Sequence, residues 1–319
     1  LLKILVNRAI EFPPLYCVQV LGELQNSGHQ TTYSKEIPKN LSVFDFIIIN
    51  SSIVSFETEI ESIKSILSRS KKNVFAIGPF ASSNPDKYVE AGAKVIKGEP
   101  EMFFYNFSKN LNDLDNLPSI IDNIVPIDLD KLSTPAWNII FKTYTPKMKF
   151  LGKGPAVNIN ASRGCPYSCF YYCVYPLQQG RKLRLKSTKK LLSEIHELNN
   201  KLGVTNFIFR DPVFSIDKKH TLDICKKIIN SKLKINLCIE AHLKNIDNEL
   251  ADYFKKAGVK LIYVGIESSD TEVKKNAKRQ SDTNDNQIDK INYLEKKGIK
   301  VKAMSILAFF FTSVSDDSM

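Results

Sequence analysis

Short apolar runs alternate with amphipathic stretches along the first 110 residues. The runs are three to six residues long and end at glycine, proline or small polar residues, as buried strands do. Between them, apolar residues recur every three to four positions, as in helices that pack on a sheet. The predicted strands are Ile4–Val6, Thr31–Ser34, Phe44–Ile49, Val74–Ile77 and Ala93–Ile96, and the predicted helices are Tyr16–Asn26 and Glu57–Leu67. This alternation predicts an α/β fold with a doubly wound, flavodoxin-like parallel sheet.

The same alternation returns after residue 150. The predicted strands are Val157–Ile159, Asn206–Phe209, Ile235–Ile239, Leu261–Val264 and Lys300–Ile306, and the predicted helices are Ser187–Leu202, Lys218–Asn230, Asn248–Lys256 and Gln287–Lys297. Five strand–helix steps predict an incomplete parallel (β/α) barrel. The segment between the halves is rich in Asp and Pro. We therefore predict a first domain over residues 1–110, a linker over 111–150 and a second domain over 151–319.

The predicted strands of the first half end in small residues. Ser51, Gly78 and Gly98 each follow one of these strands. Ligands of doubly wound sheets bind outside the carboxyl ends of the strands, and small residues there let a ligand approach the backbone. These three residues are the predicted ligand contacts of the first domain.

Three of the six cysteines lie within nine residues. Cys165, Cys169 and Cys173 follow the first strand of the second half, and clustered thiolates favour zinc or an iron–sulfur cluster. A structural zinc site needs four ligands, and no His or fourth Cys is near in sequence. A four-iron cluster held by three thiolates leaves one iron open for a ligand. The alternatives are a zinc site completed from afar and thiols without a metal.

This cysteine segment resembles that of the radical S-adenosylmethionine (SAM) enzymes. Their loop reads C-x3-C-x2-C with an aromatic residue before the last Cys, a place taken here by Tyr172. The second gap here holds three residues, 170–172, instead of two. The resemblance implies a 4Fe–4S cluster on the three cysteines, with SAM bound to the open iron.

The first half resembles the cobalamin-binding domain that precedes the radical SAM core in one group of these enzymes. The matching segments are Pro13-Pro14-Leu15, Gly28-His29, Gly78-Pro79-Phe80 and Lys97-Gly98-Glu99-Pro100-Glu101. The D-x-H-x-x-G motif, whose His ligates cobalt in other cobalamin proteins, is missing. The resemblance implies cobalamin as a further candidate cofactor, bound near Ser51, Gly78 and Gly98.

The resemblance also assigns residues at the strand ends of the barrel. Arg210-Asp211-Pro212 and the G-I-E-S segment ending at Ser268 match family segments, and an acidic residue follows the third strand. By this resemblance Asp211 lies near the amino group of SAM, Glu267 near its ribose, and Glu240 near the cofactor. The family typically reads L-G-x-P-G-x-T where this chain has residues 307–311. We therefore expect the barrel to stop before its sixth strand.

The implied activity is reductive cleavage of SAM to methionine and a 5′-deoxyadenosyl radical, which starts radical chemistry such as cobalamin-dependent methyl transfer. It requires a small-molecule substrate and an electron donor such as flavodoxin or ferredoxin. One alternative is a catalytically impaired remnant that only binds a cofactor or packs. Another is a radical methylthiotransferase, whose first domain would supply three more cluster cysteines where this one has only Cys17.

Charge, hydropathy and cysteine content bear on the partners and the cellular location that we expect. The first 150 residues hold 16 basic and 16 acidic residues, so the excess of +11 lies entirely in the second half. Its densest patch, residues 181–190, is typical of solvated helix faces, and no RNA-binding motif accompanies it. We therefore expect no nucleic-acid partner. No apolar run is long enough to span a bilayer. Clustered thiols without a disulfide pattern predict a reducing, cytoplasmic location.

Overall fold

The structure is a computed structural model that describes residues 12–107, 114–122, 126, 128–167, 169 and 173–306. These residues form two parallel sheets, one in each half of the chain, and a short antiparallel ribbon. The α/β class and the two-sheet plan are thus confirmed. Three of the predicted features lie outside the described residues, namely the strand Ile4–Val6, the aromatic position Tyr172 and the stretch 307–311.

The first sheet has four described strands that follow one another in space. They are β1 (Phe46–Asn50), β2 (Asn73–Ile77), β3 (Lys94–Ile96) and β4 (Ile120–Ile121), all parallel. The helices are α1 (Leu15–Asn26), α2 (Phe56–Arg69), α3 (Pro79–Ser83), α4 (Pro85–Glu90) and α5 (Pro100–Phe107). Val74 and Ala76 pack into one apolar cluster, whereas Phe75 and Ile77 pack into another. Both faces are covered, which explains why the strands read as continuous apolar runs.

Two sequence predictions differ from this sheet. Residues 31–34, predicted as a strand, have no regular structure. The segment Thr-Thr-Tyr-Ser has no buried apolar residue that would fix it in a sheet, and Tyr33 packs instead against Tyr144, with ring centroids 6.4 Å apart. In addition, β4 pairs with β3 although it lies within the segment predicted as the linker.

The second sheet is an open parallel barrel with five described strands. They are β5 (Ala156–Ile159), β8 (Asn206–Phe209), β9 (Asn236–Ala241), β10 (Val259–Glu267) and β11 (Lys300–Ser305), adjacent in this order. The other elements are α6 (Trp137–Thr143), β6 (Ser162–Arg163), α7 (Tyr175–Gln179), β7 (Arg184–Leu185), α8 (Thr188–Leu202), α9 (Lys218–Ser231), α10 (Asn248–Lys256), α11 (Thr271–Asn276) and α12 (Asn284–Lys296). The incomplete barrel is confirmed, and so is the predicted cap, because Ser187 accepts a hydrogen bond from the Lys190 amide.

One apolar core joins the two halves. Val18 of α1 and Trp137 of α6 belong to the same buried cluster as Val157 of β5. The Trp137 indole donates a hydrogen bond to the carbonyl oxygen of Asn158 at 3.1 Å. The loop after β3 also contacts the chain after β5, because Glu99 lies 2.8 Å from Arg163.

Candidate active site

The three clustered cysteines lie directly after β5 and are all free thiols. The pKa of Cys165 is raised by burial, with a further contribution from the neighbouring Cys173 and Cys169. Burial also raises the pKa of Cys173, and repulsion from Cys169 adds to it. The positive charge of Arg279 opposes both shifts. The thiols thus lie close enough to affect one another's ionisation, with Arg279 as a nearby cation.

This donor set suits an iron–sulfur cluster better than zinc. Within the described ranges, no three His, Cys, Asp or Glu side chains are close enough to hold a single metal ion. A mononuclear zinc site requires such a group. In a four-iron cluster each thiolate binds a different iron, so the sulfurs are spaced further apart. Three thiols are the donor chemistry that such a cluster needs, and the assignment of Cys165, Cys169 and Cys173 as its ligands stays a prediction.

Arg279 links the cysteine segment to the end of β10. Its guanidinium donates to the Cys169 sulfur at 3.6 Å and to the carbonyl oxygen of Gly265 at 2.7 Å. It also lies 3.9 Å from the Glu267 carboxylate. Glu267 has a positive φ of 65°, a costly conformation for this residue type that turns its side chain back toward the arginine. Burial raises the pKa of Glu267, and Arg279 partly offsets that shift.

The ends of β8 and β9 carry a second charged group. Arg210 and Glu240 form an ion pair at 2.5 Å, and the Tyr175 hydroxyl donates to the other carboxylate oxygen at 3.0 Å. The Arg210 side chain is 46% exposed although its partner is largely buried. Burial raises the pKa of Glu240, and Arg210 opposes that shift. Since Tyr175 lies two residues after Cys173, this group ties the cysteine segment to the barrel.

Asp211 is fully buried, with its carboxylate directed into the protein. It accepts hydrogen bonds from the Ser162 hydroxyl at 2.6 Å and from the Ala161 amide at 3.0 Å. Burial raises its pKa to about 6, although these hydrogen bonds favour the charged form. The described contacts make Asp211 a support for the β5 turn. Its predicted place beside the amino group of SAM stays a prediction.

A third anchor holds the segment between the first two cysteines. The ring of Tyr167 packs against that of His242, with centroids 5.3 Å apart, and its hydroxyl bonds the Asn245 side chain. Burial lowers the pKa of His242 to about 4, so the imidazole is neutral at pH 7. His242 therefore serves the site as a packing and hydrogen-bonding residue.

The predicted ligand contacts of the first sheet lie at the carboxyl ends of β1, β2 and β3, but they face protein atoms. A side chain at Gly78 would come within 2.5 Å of the Tyr16 hydroxyl and 2.9 Å of the Ser51 hydroxyl. Ser51 is buried and accepts from the Ala81 amide at 2.9 Å. At Gly98 the nearest neighbour of an added side chain is the carbonyl oxygen of Gln178, at 3.6 Å. Internal packing thus explains the small residue at Gly78, whereas a side chain at Gly98 would make only an ordinary contact, and the ligand role of the three residues stays a prediction.

Sequence reasoning missed Arg279, Tyr175 and Arg163, which contact or flank the predicted site. Arg279 lies more than 100 residues after Cys169, and nothing in the local pattern sets it apart from the other basic residues of the second half. For Tyr175 and Arg163 a usable signal existed, because each lies two residues from a predicted ligand. In the dense patch at 181–190, Arg184 and Lys186 are largely buried and ion-paired, so the expectation of a solvated helix face is wrong for these two residues.

The family follows from the sequence as a whole. A profile of the radical SAM superfamily matches residues 159–319, just over half of the chain. The chain therefore belongs to the radical SAM superfamily, whose members use a 4Fe–4S cluster and SAM. Within the described part of the chain, no helix is both long and apolar enough to cross a membrane.

Similar proteins extend the likeness to the first half. An uncharacterised methyltransferase of Pyrococcus horikoshii is 25% identical over 73% of this chain and 54% of its own length. The cobalamin-dependent SAM radical enzyme OxsB, solved with aqua-cobalamin and SAM, has a TM-score of 0.74 at 17% identity over 94% of this chain and 48% of its own. The radical SAM methyltransferase TsrM of Kitasatospora setae, solved with cobalamin and a 4Fe–4S cluster, has a TM-score of 0.68 at 13% identity over 92% of this chain and 66% of its own. At these identities the two solved structures support the fold, and this chain spans about half the length of the Pyrococcus horikoshii protein and of OxsB and 66% of TsrM.

Proposed function

We propose that this chain is a radical SAM enzyme whose Cys165, Cys169 and Cys173 hold a 4Fe–4S cluster and which cleaves SAM to start radical chemistry. The observation that carries the proposal is the meeting of three free thiols with Arg279 at the carboxyl ends of the barrel strands. A 4Fe–4S cluster held by these residues would supply the electron for reductive cleavage of a carbon–sulfur bond of SAM. A flavodoxin or ferredoxin is the class of donor for that electron.

The residues of this chain provide binding and orientation. Arg279 places a positive charge beside the thiolates and so stabilises their ionised form. Glu267 lies on the same arginine with a carboxylate suited to accept hydrogen bonds from ribose hydroxyls. The partly exposed Arg210, paired with Glu240, lies at the mouth of the barrel, where a substrate can reach it. The six free cysteines suit a reducing compartment such as the cytoplasm.

Methyl transfer is the reaction class that the relatives favour. Two of the three similar proteins are called methyltransferases. The two solved structures also contain cobalamin. We extend this to a domain plan with a cobalamin-binding-like unit over 1–110, a linker over 111–150 that adds β4 to the sheet of this unit, and the radical SAM core over 151–319. In this plan the corrin would bind without help from the positions of Ser51 and Gly78, since internal contacts fill them.

Anaerobic reconstitution tests the proposal. The full chain is loaded with iron and sulfide, reduced with dithionite, and studied by electron paramagnetic resonance with and without SAM. We expect about four irons per chain, a signal that changes when SAM is added, and 5′-deoxyadenosine or S-adenosylhomocysteine as product. Stoichiometric zinc and no iron, or a cluster whose spectrum ignores SAM, would contradict the proposal.

A packing role for the first domain is the second candidate, because protein atoms fill its strand ends. Titration of the full chain with hydroxocobalamin separates the two. A shift of the cobalt absorption bands that saturates at one equivalent supports a cobalamin-binding domain. An unchanged spectrum supports packing alone, and it leaves the cluster proposal intact.

A further inference from the structure

The loop after β3 and the first turn of α5 place two acidic residues, Glu99 and Glu101, deep between the two halves of the molecule. The side chains of Glu99 and Glu101 are 6% and 1% exposed. Both reach Arg163, whose side chain is 4% exposed and which lies 2.8 Å from Glu99. Arg184 adds a second contact to Glu99, also at 2.8 Å. Two carboxylates thus meet two guanidinium groups, which is the condition under which buried charges are tolerated.

Both arginines belong to the ribbon at the base of the cysteine loop. Arg163 of β6 pairs directly with Arg184 of β7 in antiparallel register. The chain between them, residues 164–183, contains all three predicted cluster cysteines. Next to the ribbon, the Cys165 amide donates to the carbonyl oxygen of Gly180 at 3.2 Å. Because the two strands of the ribbon contact the same Glu99, the first domain holds both ends of the loop together.

The ribbon leaves little room for the loop to rearrange at its base. Gly164, between Arg163 and Cys165, has a φ of 82°, and a side chain there would collide with the carbonyl oxygen of Lys182. Its amide donates to the Gln179 side chain at 3.1 Å. An arginine that binds two carboxylates keeps a fixed direction, which a flexible lysine does not. Movement at Arg163 would therefore be transmitted to Cys165, two residues away.

We propose that Glu99 and Glu101 of the first domain act as positioning residues for the cysteine loop, holding its base closed through Arg163 and Arg184. The two carboxylates thus bind the protein's own loop and not a ligand. This positioning role rests on the proposed function only for its effect on cluster binding. Its effect on the accessibility of the thiols does not require a cluster.

Alkylation of the metal-free full chain tests the proposal directly. Cys165 is 6% exposed, so iodoacetamide reaches it only when the loop opens locally. In Glu101→Gln and Glu99→Gln we expect Cys165 to react about tenfold faster, as measured by peptide mass spectrometry, because an arginine loses its charged partner. The buried Cys225 of α9 and Cys238 of β9 should keep their wild-type rates and report on the global fold.

Two further variants complete the design. Asp122→Asn breaks the exposed ion pair between Lys97 and Asp122, which is close in sequence to the acidic pair but not part of it. It should leave every rate unchanged. Arg184→Gln removes the ion pair between Arg184 and Glu99 and keeps both carboxylate contacts of Arg163. It is the variant to use if Cys225 and Cys238 are also alkylated faster in the glutamate variants, which would reveal unfolding. We expect Arg184→Gln to accelerate Cys165 about threefold with the core cysteines unchanged.

Iron content after reconstitution provides the second readout. We expect the folded Glu99→Gln and Arg184→Gln proteins to bind less than half the iron of the wild type. Unchanged Cys165 rates in both folded variants would overturn the positioning role. If the wild type binds no cluster while Cys165 still reacts faster in the variants, the proposed function fails and the positioning role stands.

Discussion

The two parallel sheets of this protein present very different carboxyl ends. In the first sheet, Tyr16 and Ser51 fill the space beside Gly78, and the strand ends close on protein atoms. In the barrel, thiols and charged side chains converge, and Arg210 remains 46% exposed. In both sheets, parallel topology places a potential ligand site at the carboxyl ends of the strands. The comparison shows that side chains from distant segments decide whether such a site is open.

The largest expected effect concerns the clustered cysteines at the carboxyl ends of the barrel strands. Cys165→Ala, Cys169→Ala and Cys173→Ala should each abolish iron binding, because a cluster needs all three thiolates. Iron and sulfide analysis with visible absorption spectra measures the loss. Cys225→Ala and Cys238→Ala are the matched controls, since both residues are buried core thiols. Burial raises the pKa of each to about 12, with a smaller contribution from charged neighbours for Cys238. Full iron content in any single variant of the clustered set would remove that cysteine from the ligand set.

At the strand ends of the first sheet, Gly78→Ala tests whether packing explains why residue 78 is a glycine. The new methyl group would meet the Tyr16 hydroxyl at 2.5 Å with φ at 108°. Overpacking and the positive φ together should cost about 2–4 kcal/mol of the free energy of unfolding, measured with urea. Gly28→Ala, with φ at 89° and nothing within 4 Å, isolates the conformational part. Adding Tyr16→Phe should recover part of the loss in Gly78→Ala. Equal losses for Gly78→Ala and Gly28→Ala would show that packing is not the cause.

How far sequence predicts this molecule depends on the range of the interactions. The cap at Ser187 and the apolar strands were predicted because their signals lie within a few residues. The strand at 31–34 was wrong because β-prone residues without burial do not hold a strand. Tyr16 lies more than 60 residues from Gly78, and Arg279 more than 100 from Cys169. Contacts of that kind arise from the tertiary fold, so the local pattern could not reveal them.

The pH dependence of stability tests the buried support of the barrel edge. Burial raises the pKa of Asp211 from 3.8 to about 6 in the folded protein. The folded state therefore binds a proton that the unfolded state has lost, and stability falls as pH rises between these values. Relative to Asp211→Asn, the wild type should lose up to about 3 kcal/mol between pH 4 and pH 7.

Urea denaturation of both proteins at pH 4.5, 5.5 and 7 measures this difference. Asp223→Asn provides a control of opposite sign. The Thr188 hydroxyl lowers the pKa of the Asp223 carboxyl, so its contribution is lost as pH falls rather than as it rises. A constant difference between wild type and Asp211→Asn across this range would show that Asp211 ionises as it does in water.

The smallest expected effect concerns Arg279, which lies where the cysteine segment meets the end of β10. Its positive charge favours the reduced, more negative state of a bound cluster, so Arg279→Gln should lower the midpoint potential by about 60 mV, or about 1.4 kcal/mol for one electron. Arg279→Lys keeps the charge but not the fork that reaches both Cys169 and the Gly265 carbonyl oxygen. It should therefore recover most of the midpoint potential. A redox titration followed by electron paramagnetic resonance measures the midpoint potential of both variants, and an unchanged potential in Arg279→Gln would show that this charge does not tune the cluster.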